Sequence, residues 1–226
     1  IVHPQTWPKD IDLKDKQVVV IGSGATAATL VPNIADDCAH VTMLQRSPSY
    51  ILSLPAIDRL TEVLARVLPS SWAFALARKR NIMIQRTLYH ACKRWPTLMR
   101  RLLLALVRRQ VGPGVDMRHF TPKYMPWDER LCAVLSGDLL HALRDGRASI
   151  ETDEIETFTE TGIRLKSGKE LEADIIITAT GLKLQMLGGM ELSVDGAPHA
   201  LNRQLTYKGV LVEDLPNLAW IFGYTN

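Results

Sequence analysis

Gly22, Gly24 and Ala27 stand at the spacing G-x-G-x-x-A, and the residues between them, Ser23, Ala25 and Thr26, are all small. Small residues in this pattern suit recognition of a pyrophosphate. The first glycine allows a tight turn, the second lets backbone N–H groups close on phosphate oxygens, and the third small residue lets a helix pack hard against a strand. The pattern carries meaning only with a strand before it and a helix after it. Gln17-Val18-Val19-Val20-Ile21 is a β-branched run of the kind buried on both faces of a parallel sheet. Residues 25–35 read as a helix, whose first turn offers unpaired N–H groups and a positive dipole end to an anion. Residues 39–44 read as a second strand, which completes a βαβ unit.

The tip of that second strand separates two cofactors. A dinucleotide with a free ribose 2′-hydroxyl is usually met there by Asp or Glu. This chain has Gln45-Arg46-Ser47 instead. An arginine can bind a 2′-phosphate through two N–H donors, and a serine adds a hydroxyl. The residues therefore favour NADP(H) over NAD(H), with Gln45, Arg46 and Ser47 assigned to the cofactor. The plainer fate of such an arginine is a solvated surface charge.

Around this unit, 57–68, 72–94 and 97–110 are expected as helices broken near Pro69 and Pro96. Residues 120–129 read as an ordered loop, and 131–144 as one helix. Beyond Arg147 short strands are expected at 149–152, 155–159, 162–165 and 171–178, with Ser167-Gly168 as a hairpin-type turn. The fold class is α/β: a Rossmann-type dinucleotide-binding domain with a helical insertion and a β-rich return segment. The 226 residues, 46% hydrophobic and 23% charged, can bury a substantial core. Three cysteines, with no C-x-x-C, argue against a disulfide framework or a metal site and fit a reduced, cytoplasmic compartment. No apolar run approaches the roughly 20 residues that span a bilayer. The first residue is Ile1, and 218–226 carry no polar tail, so both ends read as cuts through a folded body.

His3-Pro4-Gln5-Thr6-Trp7-Pro8 resembles the second half of the Baeyer–Villiger monooxygenase fingerprint, with His3, Trp7 and Pro8 at its marked positions. Ala179-Thr180-Gly181 resembles the segment that links the two dinucleotide domains of such flavoproteins, and Pro216-Asn217-Leu218 with 223–226 resembles the strand that returns to the flavin domain. The chain is thus similar, over nearly its whole length, to Baeyer–Villiger and flavin-containing monooxygenases. The resemblance implies a two-dinucleotide-domain flavoprotein that uses NADPH, FAD and O2. It implies insertion of one oxygen atom into a ketone, or onto sulfur or nitrogen of a small apolar substrate, through a peroxyflavin. It assigns cofactor contacts to Ala179, Thr180 and Gly181 and a catalytic arginine to Arg130, within 124–132. Asp128 and Glu129 beside it offer a structural ion pair as the other role for Arg130. The family's FAD-binding G-x-G-x-x-G would precede Ile1, so FAD is expected to be held mostly by residues outside this chain, and turnover to need them. The implied organisation is a fingerprint end and βαβ unit in 1–54, a helical insertion with the active-site loop in 55–146, the rest of the NADP domain in 147–182 and the return segment in 183–226.

Between residues 73 and 110 the chain has ten Lys and Arg and no Asp or Glu, although the net charge is only +3. Helices of this kind suit either an insertion that caps the substrate pocket or a peripheral contact with anionic lipid. No nucleic-acid-binding motif accompanies the charge. A disulfide-reductase-like NADPH flavoprotein would share the glycine motif but not H-x-x-x-W-P. A non-catalytic nucleotide-binding or membrane-surface module is the third reading.

Overall fold

The computed structural model describes residues 1–129, 131–201 and 204–220. It divides into two units, Ile1–Gly181 and Leu182–Asn226. In the first unit Gln17–Ile21 forms β1, Ala25–Ile34 α1 and His40–Gln45 β2. With β5 (Ala148–Thr152) and β9 (Ile175–Thr178) they build a four-stranded parallel sheet in the order β5-β2-β1-β9. Val2 adds a parallel bridge beside Ile177.

The β-branched runs are needed because both faces of this sheet are covered. Alternation along a strand sends Val18 and Val20 to one side and Val19 to the other. Val18, Val20, Val41, Met43, Ile150 and Ile177 share the larger core with α1 and with α5 (Asp138–Arg144). Val19, Leu44 and Ile176 meet Ile163, Leu165 and Leu171 on the other side. Those last three come from a separate antiparallel sheet of β6 (Ile155–Phe158), β7 (Gly162–Leu165) and β8 (Glu170–Glu172). The expected strand over 171–178 is therefore two strands in two sheets, parted at Ala173-Asp174. The Ser167-Gly168 turn joins β7 to β8, with Gly168 at φ 86°.

The three long helices fall where the prolines place them: α2 is Arg59–Val67, α3 Ser70–Arg94 and α4 Pro96–Val111. The single helix expected over 131–144 is wrong. Leu131–Leu135 is a strand, β4, paired in parallel with β3 (Tyr50–Leu54), and α5 begins only at Asp138. Ser136 and Gly137 both have positive φ, 52° and 71°, and a helix cannot run through such residues. The partner strand at 50–54 was not foreseen, and it decides the outcome.

In the second unit the described residues form a two-stranded hairpin and a three-stranded antiparallel sheet that ends in Leu215–Ala219. Residues 223–226 of the expected return segment lie outside the described residues.

Candidate dinucleotide site

Strands β1, β2 and β9 run parallel, so their carboxyl ends meet at one edge. That edge is where open α/β sheets bind ligands. A cavity of about 630 Å³ opens there. It is lined by Gly22, Ser23, Gly24, Ala25 and Thr26, by Arg46 and Ser47, by Ala179, Thr180 and Gly181, and by Asp153, Glu154 and Ile155, with Ile21 and Leu44 at its floor.

Each small residue has a separate reason for its size. Gly22 has φ 132°, and a methyl group there would run into the carbonyl oxygen of Ala179. The two segments can cross at the sheet edge only without a side chain. Gly24 precedes α1 with extended backbone at φ −79°, and nothing lies within 4 Å of where its Cβ would sit. That open space faces the cavity. No side chain caps α1, so its first-turn N–H groups remain available to a ligand. Ala27 is fully buried and does not line the cavity; it allows α1 to lie close on the sheet.

The fingerprint and linking segments come together, although 178 residues separate them. Nδ1 of His3 accepts a hydrogen bond from the Gln5 N–H at 3.2 Å. The ring proton therefore sits on Nε2, which donates to the Gly181 carbonyl at 3.0 Å. Hydrogen bonds from Val2 N to Ile176 O and from Thr178 N to Val2 O lay this segment along β9. Trp7 packs half-buried against the larger core, and Pro8 is also half-buried. His3 thus fixes the backbone at the cavity rim.

Arg46 and Ser47 are exposed and line the cavity. No hydrogen bond or ion pair among the described residues engages the Arg46 guanidinium. Gln45 behaves differently. Only 2% exposed, it donates to the His119 carbonyl at 2.7 Å and to the Thr152 hydroxyl at 2.8 Å. The Thr152 hydroxyl also meets His119 Nδ1 at 2.7 Å. Gln45 therefore braces the strand end that carries Arg46 and has no place on the cavity wall. Burial, and then the Arg118 charge, push the His119 imidazole below its ordinary pKa.

Arg130 lies outside the described residues. The loop leading to it is firmly held. The Tyr50 hydroxyl donates to the Tyr124 carbonyl at 2.8 Å, and the two rings meet edge to face. Lys93 of α3 donates to the Trp127 carbonyl at 3.0 Å and pairs with Asp128 at 2.7 Å. That bond holds the Asp128 carboxyl below the usual carboxylate range. Among the described residues the partner of Asp128 is Lys93. Among the described residues no cluster of His, Cys, Asp or Glu suits a metal ion, and no helix is long and apolar enough to cross a membrane.

Sequence reasoning missed Asp153, Glu154 and Ile155. They follow β5, whose neighbour in the sheet is β2, and no local motif announces that pairing.

A parallel sheet whose carboxyl edge carries a glycine turn, an uncapped helix start and an exposed arginine defines a dinucleotide-binding fold. Solved structures share it. An oxidised steroid monooxygenase bound to NADP matches with a TM-score of 0.59 at 21% identity, over 80% of this chain and 42% of that one. OTEMO in complex with FAD and NADP matches with a TM-score of 0.60 at 17% identity, again over 80% and 42%. No protein-family model matches the chain.

Closer relatives align along the whole chain. It is 66% identical to the "Putative FAD-containing monooxygenase MymA" of Mycobacterium tuberculosis, covering 46% of that protein. It is 53% identical to the FAD-containing monooxygenase EthA of the same organism, covering 47% of it. The chain is a homologue of these FAD-containing monooxygenases over its full length, and it spans less than half the length of the curated relatives it matches.

Proposed function

We propose that this chain is the NADP(H)-binding portion of an FAD- and NADPH-dependent monooxygenase. The reaction adds one oxygen atom from O2 to a ketone, or to sulfur or nitrogen, in a small apolar substrate. The observation that carries this reading is the exposed Arg46 guanidinium at the β2 tip, which makes no hydrogen bond or ion pair among the described residues, beside an open glycine turn. When bound, the nicotinamide supplies a hydride and the flavin activates oxygen.

The chain's own residues bind and position. The α1 N-terminus and the space at Gly24 receive the pyrophosphate. Arg46 and Ser47 receive the 2′-phosphate. His3 holds the Gly181 carbonyl, and so the segment 179–181, at the cavity rim. Arg130, after a loop clamped by Tyr50, Lys93 and Arg100, is the candidate catalytic residue, since a guanidinium keeps its charge in a dry site and can stabilise an anionic flavin.

Calorimetric titration with NADP+ and NAD+ tests the reading. Wild type should bind NADP+ at least about tenfold more tightly, roughly 1.4 kcal/mol, and Arg46→Ala should erase the preference. A folded chain that binds neither nucleotide removes the proposal's basis.

A second reading concerns partners. Leu98, Leu102 and Leu106 form an exposed apolar stripe on α4, with Arg101, Arg108 and Arg109 close by, and Trp72 and Phe74 of α3 are each 67% exposed. Such a surface suits peripheral contact with anionic lipid. Flotation with phosphatidylglycerol-containing vesicles, but not with pure phosphatidylcholine, would support it; equal recovery with both would remove it.

A further inference from the structure

The lining of the cavity carries two carboxylates, Asp153 and Glu154, as well as Arg46. A nucleotide 2′-phosphate bears about −1.5 to −2 charges at neutral pH. Two carboxylates beside its binding arginine are unexpected, and they differ in how they are engaged. Asp153 is occupied by the backbone: it accepts from Glu154 N at 2.7 Å and from Ser167 N at 3.1 Å, while its own N–H bonds the Gln45 carbonyl. Glu154 has one side-chain partner among the described residues, Lys166, whose Nζ lies 2.6 Å from its Oε2. Both side chains are more than half exposed, so this pair can rearrange when a ligand arrives.

The Lys166 hydrogen bond and charge, with the Arg46 charge adding to them, hold the Glu154 carboxyl below its ordinary range. It is therefore ionised at neutral pH. An ionised carboxylate beside the ribose is the feature that selects a free 2′-hydroxyl in NAD sites. Alone it would oppose Arg46.

We propose that Lys166 is a specificity-determining residue of this site: by neutralising Glu154 it makes the rim beside Arg46 tolerate a 2′-phosphate, and without it Glu154 turns the cavity towards a nucleotide with a free 2′-hydroxyl. The inference rests on the NADP(H) reading above. It places the determinant on the turn after β7, in the small antiparallel sheet, far in sequence from the Arg46 strand.

The test is titration of the full chain with NADP+ and NAD+ at low ionic strength, where charge effects at exposed sites are largest. Four proteins are compared: wild type, Lys166→Gln, Glu154→Gln and the double variant. Lys166→Gln should weaken NADP+ binding by about threefold or more and leave NAD+ binding unchanged or tighter. Glu154→Gln should strengthen NADP+ binding. The double variant should return to the wild-type ratio. A purely structural staple between the ends of β6 and β7 would instead lower the thermal midpoint in both single variants and leave the NADP+/NAD+ ratio unmoved; that result overturns the proposal. A double variant as weak for NADP+ as Lys166→Gln also overturns it, since Lys166 would then touch the phosphate directly. Wild type that binds neither nucleotide overturns both this proposal and the cofactor reading, whereas wild type selective for NADP+ with an unmoved ratio in Lys166→Gln overturns this one alone.

Discussion

One added methyl group should have opposite consequences at Gly22 and Gly24. At Gly22 it meets the Ala179 carbonyl and a φ of 132° that alanine rarely adopts, so Gly22→Ala should cost about 2 kcal/mol or more of stability, read from chemical denaturation. At Gly24 the backbone suits alanine and the space is open. Gly24→Ala should therefore unfold like wild type, within about 0.5 kcal/mol, yet lose most of its NADP+ affinity because the methyl occupies the pyrophosphate's path. Equal stability loss in both would show that the motif is only a packed turn. At this scale much was legible. Gly22, Gly24 and Arg46 announce themselves by type and spacing, because the chemistry needs them next to one another along the chain. Gln45 was misplaced for a physical reason. It follows Leu44 in a strand, so its side chain points opposite to its neighbour's, and only the tertiary structure shows that the interior on that side holds His119 and Thr152 as polar partners. Glu154 and Lys166 had no local signature at all.

Elements were legible where one segment decides its own state. Prolines and apolar spacing located α2, α3 and α4 to within a few residues. The strand β4 was not legible, since Leu-Cys-Ala-Val-Leu suits a helix as well as a strand and its state is set by β3, 77 to 85 residues earlier in the chain. The helices also show how a basic segment without acids is fastened. Asp58 accepts from Thr61 N at the start of α2 and pairs with Arg80 of α3, joining the two helices. Arg80, then the Thr61 hydroxyl, hold the Asp58 carboxyl at about 2, against 3.8 for the free group. A carboxyl depressed in the folded state stabilises above its unfolded pKa and stops doing so as pH falls through the folded one. Wild type should thus exceed Asp58→Asn in thermal midpoint by a constant margin above about pH 5, and the margin should shrink steadily towards pH 2. A margin that does not change with pH would mean that the ion pair contributes nothing, with asparagine differing only as a helix cap.

At the scale of the whole molecule, the site draws on residues 3, 22–26, 46–47, 153–155 and 179–181, and every one belongs to the first unit. Its topology was half legible. A βαβ unit and a return through an Ile-rich strand follow from runs of β-branched residues, but the neighbour order β5-β2-β1-β9 joins strands more than 100 residues apart, and long-range pairing leaves no local trace. Among the described residues the two buried hydrophobic clusters lie in the first unit as well. Among the described residues the second unit holds a short 3-10 helix, strands of two residues and one of five. Residues 182–185, the start of the second unit, are exposed and form neither helix nor strand. Backbone of that kind is where native proteins are cut first. Limited trypsin digestion should therefore give a stable product ending at Lys183, identified by its mass. Because the product keeps every residue that lines the cavity, it should bind NADP+ within about twofold of the intact chain, a difference of some 0.4 kcal/mol. NADP+ should also raise its thermal midpoint, since a ligand that binds only the folded state stabilises it. A product that folds but has lost the nucleotide would mean that residues beyond Lys183 complete the site.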